Sequence, residues 1–137
     1  MFNDANARRF RGFVYVSKGE WQKAIEDYGV VIQRVPNDSG AYERRAFAYR
    51  SLKQYKEAIA DYTKSIATDP KDPDGYRHRA VAHTMAGDTK SAEADLRALL
   101  KIKPDDADAQ SRLKALETRG NSPSATPAAP RPGASPH

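Results

Sequence analysis

An aspartate followed by a tyrosine occurs twice in the chain, at Asp27-Tyr28 and at Asp61-Tyr62, in two segments of otherwise similar sequence. A carboxylate beside a phenol can transfer protons, so these pairs are the first candidates for chemistry. No Ser-His-Asp set, glycine-rich phosphate loop or pair of carboxylates in an apolar segment accompanies them. Because no catalytic constellation is complete, we predict that the chain is not an enzyme.

Metal ligands are equally scarce in the sequence. The chain has no cysteine, which removes thiolate metal sites, disulfides and cysteine nucleophiles together. His78 and His83 are five residues apart, a spacing that does not place two histidines on one face of a helix. We expect His83 to be a packing residue, since it stands where Tyr15 and Tyr49 stand in similar segments. The sequence predicts neither a metal nor a cofactor.

The aspartate-tyrosine pairs belong to a repeat with a period of 34 residues. Five separate columns share the period: Pro36, Pro70 and Pro104; Ala24, Ala58 and Ala92; Asp27, Asp61 and Asp95; Asp38, Asp72 and Asp106; Arg11, Arg45 and Arg79. A fixed period of about 20–50 residues is the signature of an array of similar structural units. The role of each residue therefore depends on its position within the repeat.

Each period reads as a helix, a short turn and a second helix. Apolar residues recur at helical spacing, a proline ends the second helix, and the aspartate two residues later is suited to cap the next helix. We predict helices near 5–17, 21–34, 39–52, 55–68, 73–86, 89–102 and 107–119. The predicted fold is all-α, with repeats at about 5–38, 39–72 and 73–106 and a capping helix at 107–119.

The composition changes after this domain, which we place at residues 1–119. Residues 120–137 are rich in proline, alanine and serine and contain no acidic or bulky apolar residue, so we predict a disordered tail. Its PAAP sequence has the spacing of a proline-rich ligand, but the composition fits a plain tether better.

The charge balance is mildly basic, with 23 Lys and Arg against 18 Asp and Glu. This balance permits an acidic partner but lacks the dense basic blocks of a nucleic-acid arm. The N-terminal segment contains no apolar run long enough for a signal-peptide core or a membrane span. We expect a cytoplasmic protein without a membrane partner, although a trimmed exported precursor would show the same features.

The order of small and large residues within the 34-residue period resembles the tetratricopeptide repeat. A small residue and a larger one three positions later mark the first helix, and a large residue followed by a small one marks the second. These pairs are Gly12 and Tyr15, Ala46 and Tyr49, and Ala80 and His83 in the first helices, and Trp21 and Ala24, and Tyr55 and Ala58, in the second. The resemblance covers residues 5–119 and implies a right-handed α-solenoid whose first helices line a concave groove for a peptide or helix.

Under the geometry that this resemblance implies, one face of each first helix points into the groove. The predicted peptide-binding residues on that face are Asn6, Arg9, Phe13, Arg44, Phe47, Arg50, Arg77, His78 and Val81, and their neighbours on it are Val16, Glu43 and Asp74. Arginines interleaved with aromatic rings suit an acidic or amphipathic protein segment, because guanidinium groups pair with carboxylates and rings anchor apolar side chains. A solvated arginine face without a partner is the alternative interpretation.

The chaperone-binding members of the family hold a C-terminal carboxylate with lysine and asparagine side chains on the first helices. The corresponding positions here are Arg9, Phe13, Arg44, Asp74 and His78, which include neither residue type. We therefore do not expect this chain to bind the tails of heat-shock chaperones.

The repeated arginines have a structural interpretation. We expect their stems to cover the neighbouring helix and their guanidinium groups to meet the repeated acids of the second helices. The predicted pairs are Arg11 with Asp27, Arg45 with Asp61 and Arg79 with Asp95.

Two alternative functions stay open. The positive charge favours a weak RNA-binding helical repeat, which interleaved acids such as Glu43 and Asp74 disfavour. The chain is alternatively a piece of a longer repeat array, or it forms a homodimer through its N-terminal helix, where Phe2, Phe10 and Val14 leave apolar surface uncovered.

Overall fold

The computed structural model describes residues 4–121, and the regular structure within them is entirely helical. The helices are α1 Asp4–Lys18, α2 Trp21–Arg34, α3 Ser39–Ser51, α4 Tyr55–Thr68, α5 Pro73–Met85, α6 Thr89–Ile102 and α7 Ala107–Asn121. Each helix packs mainly on its neighbours in sequence, so the prediction of an all-α solenoid of three helix–turn–helix repeats and a terminal helix is confirmed.

The ends of the helices lie close to the predicted ones. Each bound is within two residues of its prediction, and α7 continues to Asn121, two residues beyond its predicted end. Residues 122–137 of the predicted tail lie outside the described residues. Gly19 and Gly87 end α1 and α5 with φ of 74° and 87°, a left-handed conformation that glycine adopts without steric cost. Asp38 and Asp106 each accept a backbone N–H from the first turn of the next helix, as predicted.

The core of each repeat lies between its two helices. Tyr28, Tyr62 and Leu96 occupy the same position in successive repeats and are at most 1% exposed. A Cβ atom on Gly12 would lie only 2.9 Å from the ring of Tyr28, so the small residue is what lets α1 approach α2. Burying each of these large side chains stabilises the fold by about 1.5–3 kcal/mol.

A bidentate ion pair joins the two helices of every repeat. The Nε and Nη2 atoms of the arginine donate to both carboxylate oxygens of the aspartate at 2.7–2.9 Å. The pairs are Arg11 with Asp27, Arg45 with Asp61 and Arg79 with Asp95, which confirms the prediction. The three aspartates are at most 5% exposed. Burial alone would raise the pKa of Asp27, but hydrogen bonds from Arg11 and Arg8 lower this pKa below its ordinary value.

A second type of ion pair joins one repeat to the next. Nε and Nη2 of Arg9 lie 2.9 and 2.7 Å from Oδ2 of Asp38, the residue that caps α3. Nη2 of Arg77 lies 2.6 Å from Oδ2 of Asp106, which caps α7. Glu43 stands at the equivalent position of the middle repeat, so that repeat has no arginine to make this contact.

The buried tyrosine hydroxyls generate the first prediction. The Oη atoms of Tyr28 and Tyr62 have no hydrogen-bond partner among the described residues, and burial raises the pKa of both to about 12. Replacing either residue by phenylalanine removes an unsatisfied polar atom, so we expect the free energy of unfolding to stay the same or to rise by up to about 1 kcal/mol. Urea denaturation measures this change, and a loss above about 1 kcal/mol would contradict the burial of an unpaired hydroxyl.

The junction between α5 and α7 generates the second prediction. Hydrogen bonds from Arg77 and from a backbone N–H hold the pKa of Asp106 well below its ordinary value of about 4. Because the folded pKa is the lower one, this carboxylate stabilises the fold above about pH 4, and the contribution is lost as the pH falls towards the folded pKa. Asp106→Asn keeps a capping side chain but removes the charge. We expect it to lower the urea midpoint at about pH 7 and to lower it less at about pH 3.

The control for this measurement is Asp105→Asn, because Asp105 is the exposed neighbour of Asp106. We expect Asp105→Asn to change the urea midpoint little at either pH. If Asp106→Asn lowers the urea midpoint by the same amount at both pH values, the charge of Asp106 does not stabilise the contact between α5 and α7.

Candidate functional site

The first helices of the three repeats lie side by side and form one surface, which we call the inner surface. It consists of the residues of α1, α3 and α5 for which the sequence predicts peptide binding, together with Val16, Glu43 and Asp74. Side-chain contacts join its helices: the guanidinium of Arg44 on α3 lies over the ring of Phe13 on α1, and Nε2 of His78 on α5 lies 3.4 Å from Oε2 of Glu43 on α3. Equivalent residues of successive repeats therefore form rows across the inner surface.

Four of the predicted site residues form a contiguous group, which we call the arginine–phenylalanine cluster: Phe13, Arg44, Phe47 and Arg50. The Arg44 guanidinium lies 5.5 Å from the centre of the Phe13 ring, and that of Arg50 lies 4.9 Å from the centre of the Phe47 ring. The rings of Trp21 on α2 and Phe47 form a T-shaped contact, with their centres 5.7 Å apart. Arg44, Phe47 and Arg50 follow a spacing of three residues, so they share one face of α3.

The two arginines of this cluster differ from the others in their partners. Within residues 4–121, Arg44 and Arg50 form cation–π contacts and no ion pair with a carboxylate. Arg44 is exposed and Arg50 is half-buried. Phe13 is 49% exposed, which is a large apolar area for a surface residue. The cluster thus presents two guanidinium groups and an apolar ring to solvent.

The other predicted arginines are engaged within the chain. Arg9 pairs with Asp38 and also donates to the side-chain oxygen of Asn6. Arg77 pairs with Asp106 and with Asp108, and these contacts raise its pKa. Both arginines lie at the predicted positions, but their donors already contact carboxylates. They position the helices that carry the inner surface.

His78 and Val81 on α5 have different surroundings. The ring of His78 stacks on Tyr62 with the ring centres 5.6 Å apart and the planes 17° from parallel. Val81 is half-buried and borders a cavity of about 210 Å³ between α5 and α7. The nine predicted residues therefore have four kinds of surroundings: the cluster, the ion pairs between repeats, the stacking of His78 on Tyr62, and the edge of the cavity at Val81.

Our sequence interpretation left α7 out of this surface. Arg112 lines the cavity and stands 34 residues after His78, in the row that also contains Arg44. The 34-residue period continues into α7, and this continuation was the signal that could have identified Arg112. From the sequence we predicted α7 only as a capping helix, because an aspartate precedes it as one precedes the first helix of each later repeat.

The described residues offer no alternative site for a metal or a membrane. Within residues 4–121, no group of three or more histidine, aspartate or glutamate side chains is placed to hold a metal ion. None of the described helices has the length and apolar character that a membrane span requires.

Comparison with known proteins identifies the repeat. A family model described as TPR repeat matches residues 46–87, and no curated protein matches the chain. Among solved structures, the TPR2B domain of yeast Sti1 in its pHsp70 complex is 30% identical, with 84% of this chain and 91% of that chain covered and a TM-score of 0.70.

Two further structures have a similar fold. The second TPR domain of human RPAP3, solved with the HSP70 peptide SGPTIEEVD, is 26% identical over 83% of this chain and 95% of that chain, with a TM-score of 0.77. The Yersinia enterocolitica type III secretion chaperone SycD, solved with a peptide of the translocator YopD, is 18% identical over 84% and 93%, with a TM-score of 0.77. The repeat period, the helix pairs and these similarities show that the chain belongs to the tetratricopeptide repeat family.

Proposed function

We propose that this chain is a non-catalytic protein-interaction module that binds an acidic peptide segment on its inner surface. The observation that carries the proposal is the arginine–phenylalanine cluster: the guanidinium groups of Arg44 and Arg50 lie over phenylalanine rings and have no carboxylate partner in the described part of the chain. The similarity to TPR domains solved with bound peptides supports an interaction module in general.

The chemistry of the cluster favours carboxylates. A guanidinium that stacks on an aromatic ring keeps its N–H groups in the plane, where they form bidentate hydrogen bonds with a carboxylate. Stacking also limits the rotamers of Arg44 and Arg50, so less side-chain entropy is lost when a ligand binds. The exposed part of the Phe13 ring adds an apolar contact beside the charges. An acidic segment with apolar side chains satisfies both features.

The tails of heat-shock chaperones are not the segment that we propose. The neighbours from human RPAP3 and yeast Sti1 were solved with an HSP70 peptide and in a pHsp70 complex, respectively. In this chain Asp74 stands where the resemblance implies a basic or amide residue of the carboxylate-binding set, and Arg9 is paired with Asp38. An acid at this position repels a terminal carboxylate. We therefore assign the acid-binding role to α3.

An alternative function rests on the exposed N-terminal helix. Phe10 is 72% exposed and stands in the row of Arg44 and His78. Arg44 and His78 each rest on an aromatic ring of the preceding repeat, whereas the described residues include no repeat before α1. Phe2 lies outside the described residues, and Val14 is half-buried. A second copy of the chain that stacks α1 on α1 would bury this face in a homodimer.

The cluster generates the third prediction. Changing Arg44→Gln and Arg50→Gln together should weaken the binding of a fluorescein-labelled peptide of glutamate and glycine about tenfold or more, because two charge-assisted contacts are lost. Fluorescence anisotropy at low ionic strength measures the affinity. The matched control is Lys56→Gln with Lys64→Gln, which removes the same charge from exposed positions on α4. Equal weakening by both double variants, or none by the first, would contradict binding at the cluster.

The N-terminal helix generates the fourth prediction. If α1 stacks on a second copy, light scattering should give a mass that rises with concentration towards a dimer, and Phe10→Glu should keep the protein monomeric because it places a charge in an apolar contact. Met85→Glu, at a residue that is 50% exposed on α5, is the control and should leave the association unchanged. A wild-type protein that stays monomeric at all concentrations would rule out the homodimer.

A further inference from the structure

The cavity between α5 and α7 arises because the third repeat carries smaller residues at the positions that line it. The row that holds Phe13 and Phe47 in the first two repeats holds Val81 in the third. In the middle repeat Arg50 lies over Phe47, whereas Thr84 stands at the position of Arg50 in the third repeat. Two of the residues that line the cavity on α5 are therefore smaller than their counterparts in the middle repeat.

The floor of the cavity follows the same pattern. Leu96 replaces the tyrosine that is buried at this position in the first two repeats, at Tyr28 and Tyr62. Leu96 and Leu116 form an aliphatic floor, and both are almost completely buried. The resulting volume is about 210 Å³. The cavity opens to solvent, and its aliphatic floor and volume give room for an apolar side chain that enters from the inner surface.

The rim of the cavity is basic. Arg112 and Arg119 of α7 border it. Nε of Arg112 lies 2.8 Å from Oδ2 of Asp108, a carboxylate that also accepts a hydrogen bond from Arg77. Arg119 is exposed and forms no ion pair within residues 4–121. Arg77 and Arg112 thus share the carboxylate of Asp108, whereas Arg119 contacts no carboxylate in the described part of the chain.

We propose that this cavity is a subsite for an apolar side chain of about leucine size in the bound segment, with an acidic residue next to it that pairs with Arg119. This inference rests on the proposed function, because it names a second feature of the same peptide. Val81 lies in the same row as Phe13 and Phe47, so an extended segment that contacts the arginine–phenylalanine cluster continues to the cavity on α5. The cluster binds acids, and the cavity sets the position of the segment by binding one side chain.

Two labelled peptides test the subsite. Both consist of glutamate and glycine, one with a single central leucine and the other with alanine in its place. Fluorescence anisotropy should show that the wild-type protein binds the leucine peptide about tenfold more tightly, since burial of the larger side chain adds favourable transfer free energy. Val81→Phe restores the residue of the other repeats and fills the cavity, so it should make the affinities for the leucine and alanine peptides equal.

Two further variants complete the test. Ala115→Leu fills the cavity from α7 and should have the same effect as Val81→Phe, and Val35→Phe makes the same change at an exposed position and should keep the leucine preference. Circular dichroism checks that each variant is folded. Equal binding of the two peptides by the wild type, or a leucine preference that survives both filling variants, would overturn the subsite alone. Binding of neither peptide would overturn the proposed function and the subsite with it.

Discussion

The bidentate ion pair between the arginine of the first helix and the buried aspartate of the second is the contact on which the rest of the structure depends. The aspartate of each pair is buried while its arginine is partly exposed, so loss of the arginine leaves an uncompensated charge in the interior and destabilises the repeat. The two helices of a repeat therefore cannot rotate or slide without losing this contact. Its recurrence as Arg11–Asp27, Arg45–Asp61 and the equivalent pair of the third repeat gives all three first helices one orientation. That common orientation forms a single inner surface.

Some positions on the inner surface carry different residues in different repeats. These differences distinguish the arginines that join one repeat to the next from the arginines of the proposed binding cluster. At one position the outer repeats have Arg9 and Arg77, which tie each repeat to the next helix, while the middle repeat has Glu43. The two arginines of the proposed binding cluster, Arg44 and Arg50, both lie in the middle repeat, where carboxylates are not in contact with them. In a repeat protein, a residue type that recurs at the same position of every repeat indicates a role in packing. A position whose residue differs between repeats is available for recognising a ligand.

The sequence predicted most of the architecture because each element leaves a local signal that recurs every 34 residues. Proline, glycine and aspartate mark the ends of the helices. The arginine–aspartate pairs could be predicted because an arginine and an aspartate recur with the same 34-residue period. The roles of Arg9 and Arg77 could not be predicted, because their partners lie 29 residues away and depend on how successive repeats pack. The cavity beside Val81 was also not predicted, since no single residue creates it: three truncated side chains have to meet at one junction.

The central claim is that an acidic segment lies along the inner surface, and a titration of the ¹⁵N-labelled protein followed by NMR tests it most directly. Addition of a glutamate-rich peptide that contains one leucine should shift the side-chain Nε signals of Arg44 and Arg50, and the backbone signals around Val81. The signals of α2 and α4, and those of α6 away from Leu96, should change little, because those helices carry the opposite side of each repeat. Shifts confined to these second helices, with the Arg44 and Arg50 signals unchanged, would contradict the account.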